Sequence, residues 1–174
     1  MAVSLALDEL FEYTDWERQK WHDWLRSKGD QVLGIGAGPN GDGRFESVGD
    51  LVKHIFSAEK RYVERLKGQP LTDPASIPSV SIETLFQFGE KSRKALRDFV
   101  SEWPSERWDT PMDLKILTYS ISATPKKIVT HVLMHEIRHW AQIGTLLRLQ
   151  GLVGEFHDFL FSPAMAVGKR GVAS

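Results

Sequence analysis

The sequence predicts an all-α, up-and-down four-helix bundle, with a short irregular or extended segment ahead of the last long helix. Three observations predict it. Four segments carry apolar residues at helical spacing, clusters of glycine and proline fall between them, and only "LKILTYSIS" (114–122) has the β-branched and aromatic run of an extended segment or hairpin. Helices with one apolar face and no large sheet to cover close most simply by packing on each other.

The first helix is expected from about Leu7 to Lys28, with Leu10, Tyr13, Trp16 or Glu17, Trp21, Trp24 and Leu25 as its stripe and Gly29 as its stop. "GIGAGPNGDG" (34–43) reads as a flexible loop too polar for the core. No Lys-Ser or Lys-Thr closes it and no strand precedes it, so it is not a phosphate loop. The second helix should begin after Ser47, with Asp50 completing an approximate capping box. Val48, Leu51, Val52, Ile55, Tyr62, Val63 and Leu66 line it, and Gly68 and Pro70 end it. After a Pro/Ser-rich connection, Ser81 caps a third helix carrying Leu85, Phe88, Leu96 and Phe99 as far as about Trp103. Thr124 caps the fourth helix, Pro125 suits its first position, and Gly151 stops it after Gln150. One domain over 1–174 is expected, with "HDFLFSP" (157–163) packing back and a loose tail from about 163.

Composition narrows the function. Of 174 residues, 41% are apolar and 26% charged, as in a soluble globular chain. A net charge of −1 with no basic run argues against nucleic acid as a partner. No stretch approaches the ~18 apolar residues of a membrane span, and "MAVSLALDELFEY" lacks the basic start of a signal peptide. The absence of cysteine excludes disulfides, thiolate ligands and a cysteine nucleophile, and it fits a reducing cytoplasm.

The chemistry lies in "THVLMHEIRHWAQIGTLLRLQG" (130–151), where His131, His135 and His139 recur every fourth residue. At about 100° per residue they share one sector with Ile128, Val132, Gln142, Ile143, Leu146 and Leu149. Val129, Leu133, Ile137, Trp140, Gly144 and Leu147 form a second sector. A helix apolar on two sides is buried on two sides, the second by another helix or a second subunit. Rings on a buried face need partners, since an unpaired polar group costs roughly 1–3 kcal/mol. Hydrogen bonds could satisfy them. The alternative is a cation, because imidazoles at i and i+4 can converge on one ion. His54 is the candidate third ligand: it lies on the second helix's stripe with Leu51, Ile55, Ala58 and Tyr62, and Ala58 leaves room for close approach. His22 reads as solvated, and His157 lies in the tail. Three neutral imidazoles suit Zn²⁺, Ni²⁺ or another borderline divalent ion and leave a coordination position open for chemistry.

"HEIRH" (135–139) also fits H-E-x-x-H, in which the glutamate of a zinc protease activates water. A metzincin continuation would need Gly at 142 and His at 145, but Gln142 and Thr145 stand there. No sheet precedes the motif to hold an extended peptide.

"LVKHIFSAEKRYVERLKG" (51–68) followed by "HVLMHEIRHWAQIGTLLRLQG" (131–151) resembles the DinB/YfiT-like superfamily of four-helix-bundle metalloproteins. The resembling features are L-x-x-H-x-x-x-x-E on the second helix, H-x-x-x-H-x-x-Q-[IVL] on the last, L-R-x-x-G at its close, and the Trp-rich "YTDWERQKWHDWL" of the first. Trp140 and Ala141 replace the commoner Arg-Gly of that pattern. The resemblance implies a metal triad of His54, His135 and His139, with His131 behind it or in the core. It implies a divalent ion, often zinc or nickel, and frequent homodimers. It also implies chemistry similar to thiol S-transferases using bacillithiol or mycothiol, or to a mycothiol-dependent maleylpyruvate isomerase.

Two functional expectations follow. One is a metal-dependent transferase or hydrolase in which the ion activates water or an external low-molecular-weight thiol, with a small-molecule substrate and with Glu136 either a proton acceptor at the site or a residue that supports the ligands from behind. The other is a non-catalytic metal- or ligand-binding bundle acting as a stress-associated dimer.

Overall fold

The computed structural model describes residues 5–38, 44–116 and 118–165. Helices α1 (Leu7–Lys28), α2 (Val48–Leu66), α3 (Ile82–Glu102) and α4 (Pro125–Leu149) account for most of it. A hairpin of β1 (Met112–Ile116) and β2 (Tyr119–Ala123) pairs antiparallel from Met112↔Ala123 to Ile116↔Tyr119. The chain is therefore mostly helical but not strictly all-α: the ambiguous stretch forms a small sheet, with Leu114 and Ala123 turned inward.

The helix ends follow the expected signals. Ser47 Oγ accepts from Asp50 N at 3.1 Å, Ser81 Oγ from Thr84 N at 3.2 Å, and Thr124 Oγ1 from Lys127 N at 3.2 Å. Gly29 and Gly151 follow α1 and α4 with φ of 80° and 75°, a region that glycine enters without a Cβ clash. Part of the polar loop is buried after all. Ala37 is 1% exposed, because its N–H donates to Glu46 O at 2.9 Å and fastens it beside the start of α2. The expected flexibility of residues 39–43 lies outside the described residues, as does the tail beyond 165.

Side-chain pairs give the helix directions. Phe56 stacks edge-on against Phe86, Glu59 meets Arg93, and Lys67 meets Glu102, so α2 and α3 run the same way. Arg18 with Glu136, and Trp21 with Trp140, make α1 and α4 parallel. His54 with His135 and Tyr62 with His131 make α2 antiparallel to α4, while Asp15 with Arg97 and Arg26 with Glu83 make α1 antiparallel to α3. Simple alternation of direction is thus replaced by a pattern in which α3 repeats the direction of α2. Residues 67–81 permit this: at up to ~3.3 Å each they outreach the ~28 Å length of a 19-residue helix.

The second apolar sector of α4 is covered by the chain itself. Val129, Leu133 and Trp140 are fully buried, and Trp140 stacks on Trp21 of α1 at 5.5 Å. No second subunit is needed to cover it. The tail does pack back: Tyr13 Oη donates to His157 O at 2.9 Å, Lys20 Nζ donates to Phe156 O at 2.7 Å, and the His157 ring stacks on Trp21 at 4.4 Å. Among the described residues, no helix is long and apolar enough to cross a membrane.

At Gly89, α3 packs close against Phe56 of α2. A Cβ there would sit 2.9 Å from ring carbons of Phe56, which is fully buried and has no room to yield. Gly89→Ala should therefore lower stability by about 1–2 kcal/mol in urea unfolding, the overpacking outweighing alanine's better helix propensity.

Candidate metal centre

α2 and α4 cross antiparallel with their histidines face to face. His135 Nε2 lies 3.1 Å from His54 Nε2 and 3.1 Å from His139 Nε2, and one ligand atom from each of the three rings falls within 4.8 Å of the others. Tetrahedral Zn–N bonds of about 2.0–2.1 Å would separate two ligand nitrogens by roughly 3.3 Å, so the observed spacing suits one ion. A single shared proton could serve one of these nitrogen pairs, not both at once. The donor set, three imidazoles without sulfur, matches a borderline divalent cation.

The rings are held as ligands should be. His139 is buried, and its Nδ1 lies 3.0 Å from Gln142 Oε1, the next turn of α4. That contact places the proton on Nδ1 and leaves the Nε2 lone pair facing the cluster. Phe45 covers the centre, its ring 4.4 Å from that of His54 and 5.9 Å from that of His139. Burial, reinforced by the neighbouring imidazoles and Arg138, pushes His135 down to about 2. It is therefore neutral across the physiological range.

The histidines do not fill a closed core. They form the floor of a cavity of about 530 Å³ between α2, α4 and the hairpin, with Ala58 on its wall and Lys115 and Ile116 at its edge. The hairpin thus partly roofs the site. His131 is exposed rather than in the core, its Nε2 3.3 Å from Tyr62 Oη, and it stands beside the triad without joining it. His22 is half-buried, stacked on Phe86 at 4.2 Å.

Glu136 has a different place from the one expected of a proton acceptor. Only 2% exposed, it accepts from Arg18 Nε at 2.8 Å, Arg18 Nη2 at 2.7 Å, Trp140 Nε1 at 3.0 Å and Arg93 Nη2. It does not line the cavity with the histidines. Burial alone would raise its carboxyl, but the guanidinium groups of Arg18 and Arg93 outweigh burial and hold it below its usual range. The H-E-x-x-H reading needs this glutamate beside the ion to activate water, and both its oxygens are engaged elsewhere.

Glu59, the glutamate of the α2 motif, completes this cluster: Arg93 Nε lies 3.1 Å from it and Arg18 Nη2 3.4 Å. One residue from each helix thus forms a buried group of two arginines and two glutamates. Nothing in the sequence alone assigns Arg18, Arg93 and Glu59 these roles. Their signal was present, because each falls on its helix's apolar stripe. A further buried acid, Glu17, is raised to about 8 by burial and by the Glu136 charge.

These placements predict two outcomes. Glu136→Ala strands two buried guanidiniums and should cost about 3–5 kcal/mol in chemical unfolding. Glu17 binds a proton more tightly folded than unfolded, so its contribution to stability is lost as pH rises from about 4.5 to about 8. Glu17→Gln should therefore gain stability over the parent across that window, by on the order of a few kcal/mol at its top, in unfolding curves taken at each pH.

The family model described as the DinB family matches residues 1–171. A crystal structure of a DinB-like protein from Bacillus cereus ATCC 10987 is similar at a TM-score of 0.65 and 19% identity, covering 86% of this chain and 93% of that one. A DinB-like protein from Bacillus subtilis is similar at a TM-score of 0.56 and 14% identity, covering 86% of this chain and 96% of that one. At these identities the likeness establishes the fold alone. No curated protein matches the chain.

Proposed function

The chain belongs to the DinB family, and on that premise we propose that it is a metal-dependent enzyme acting on a small molecule, with His54, His135 and His139 holding a divalent ion, Zn²⁺ or Ni²⁺. The observation that carries this reading is the convergence of three imidazole nitrogens on the floor of an open cavity. Three protein ligands leave a position open toward the cavity. A cation there supplies Lewis acidity, lowering the pKa of a water or an external thiol toward neutrality.

The chain's own residues do the rest. Gln142 orients His139, Phe45 excludes water from two of the rings, and Ala58 keeps the wall beside His54 low. Among the described residues, no carboxylate lines the cavity to act as a general base. This favours a nucleophile that the cation alone can activate, and a thiol needs less help than water because its pKa starts near 8.5. With no cysteine in the chain, the thiol arrives with the substrate. We accordingly favour thiol S-transfer over hydrolysis. The reading includes a cytoplasmic location, where small thiols stay reduced, and a homodimer, which light scattering would test.

Elemental analysis of protein purified without a histidine tag should find near-stoichiometric metal. His135→Ala should lose metal and thermal stability together, because an ion that binds only the folded state stabilises it; unchanged metal would remove His135 from the site. Metal-loaded protein should speed conjugation of a low-molecular-weight thiol to monochlorobimane, and chelation should abolish the gain. Full metal content without turnover would instead support the non-catalytic metal-binding bundle.

A further inference from the structure

The walls above the histidines carry a charge pattern that metal binding does not require. Arg44, Arg61, Arg65, Lys115 and Arg138 line the cavity, and among the described residues no aspartate or glutamate does. The chain as a whole is nearly balanced, with 22 basic and 23 acidic residues, so this is local segregation and not a consequence of net charge. Arg61 and Arg65 stand one turn apart on α2, on the same face as His54 and Ala58. Like charges at that spacing disfavour a helix by a few tenths of a kcal/mol. Arg65 is held below its usual range, first by burial and then by the Arg61 charge. Arg61 Nε is buried without a hydrogen-bond partner among the described residues, a donor left over. Arg138 lies one turn from His135 on α4 and lines the opposite wall. A divalent cation on the floor would add to the positive potential, so the arrangement is unfavourable until an anion enters.

We infer that the cavity binds an anionic small molecule, one bearing a carboxylate or phosphoryl group, with Arg61 and Arg138 gripping the charged group from the two helices above the histidines. Guanidinium is suited to this task because its planar donors match both anions in pairs. A volume of about 530 Å³ admits a ligand of metabolite size. The inference rests on the proposed metal centre only for the identity of the site, since the arginines would attract an anion with the ion present or stripped.

The test is calorimetric titration of the full chain, metal-loaded and chelator-stripped, with succinate, inorganic phosphate and the uncharged succinamide. Succinate or phosphate should bind both forms, and whichever binds more tightly names the group recognised. Succinamide should not bind. The exposed Arg138→Gln and the double variant with Arg61→Gln should each weaken anion binding, the double by at least about tenfold, as the loss of a charge-assisted hydrogen bond implies. Their metal content should stay at the parent value and their melting temperature at or above it, and Lys94→Gln on remote α3 should bind like the parent. Binding of succinamide equal to succinate, affinity unmoved in the double variant, anion binding confined to the metal-loaded form, or no anion binding at millimolar concentration would each overturn the inference. A chain that holds no metal yet binds succinate through these arginines would sink the metalloenzyme reading and leave this one standing.

Discussion

The fold turns on one buried ionic group. Arg18, Glu59, Arg93 and Glu136 come one from each helix and meet in the interior, two guanidinium groups against two carboxyl groups, with Glu59 raised by burial and Glu136 held low by the arginines. Desolvating ionised groups is expensive, and only near-complete mutual pairing offsets it. Arg18 also donates to Gly89 O at 3.0 Å, and Arg93 donates to Thr14 Oγ1 at 3.0 Å, so remaining donors find acceptors. Along every helix the group separates two apolar clusters. One includes Trp21, Phe56, Phe86 and Trp140, the other Phe11, Val63, Leu96 and Leu133. Apolar packing alone would tolerate helices sliding by a turn, whereas a buried charge left unpaired would not. The ionic group therefore sets helix register, and the hydrophobic clusters supply most of the favourable burial.

Register is what the histidines need. His54 lies five residues before Glu59, and His135 stands next to Glu136, so the salt bridges that position α2 against α4 also position the imidazoles. Adjacent residues on α4 do separate jobs because they point about 100° apart. Glu136 faces the interior charges, while His135 faces the cavity. This resolves the meaning of "HEIRH": the glutamate belongs to the scaffold and the histidines to the site. Above them Arg61, Arg65 and Arg138 give the opening a sign opposite to that of an anionic ligand.

Much of this was legible in the sequence. Ser47, Ser81 and Thr124 announced their helices because capping is local chemistry, and the four-residue histidine spacing with His54 on a stripe pointed to the triad. Gln142 stood in the quoted motif, its role visible as a residue one turn after His139. Other features were hidden by the same periodicity that revealed these. A charged residue on a stripe ordinarily lies in solvent, so the spacing of Thr14, Arg18 and Trp21 does not by itself mark Arg18 as an interior group, and the same holds for Arg93. Their partners lie far away in the chain, and nothing local names them. Helix direction was hidden for a similar reason: the connection at 67–81 is long enough to return or to turn, and only the interior pairs decide. The hairpin was half-visible, since its strands are short and only Leu114 and Ala123 are buried.

X-ray absorption at the metal edge of the purified protein asks whether three imidazoles from two helices share one ion. The spectrum should show a shell with three imidazole nitrogens at about 2.0–2.1 Å and no sulfur, reduced to two imidazoles in His54→Ala. A metal-free protein, or a shell that His54→Ala leaves unchanged, would contradict it.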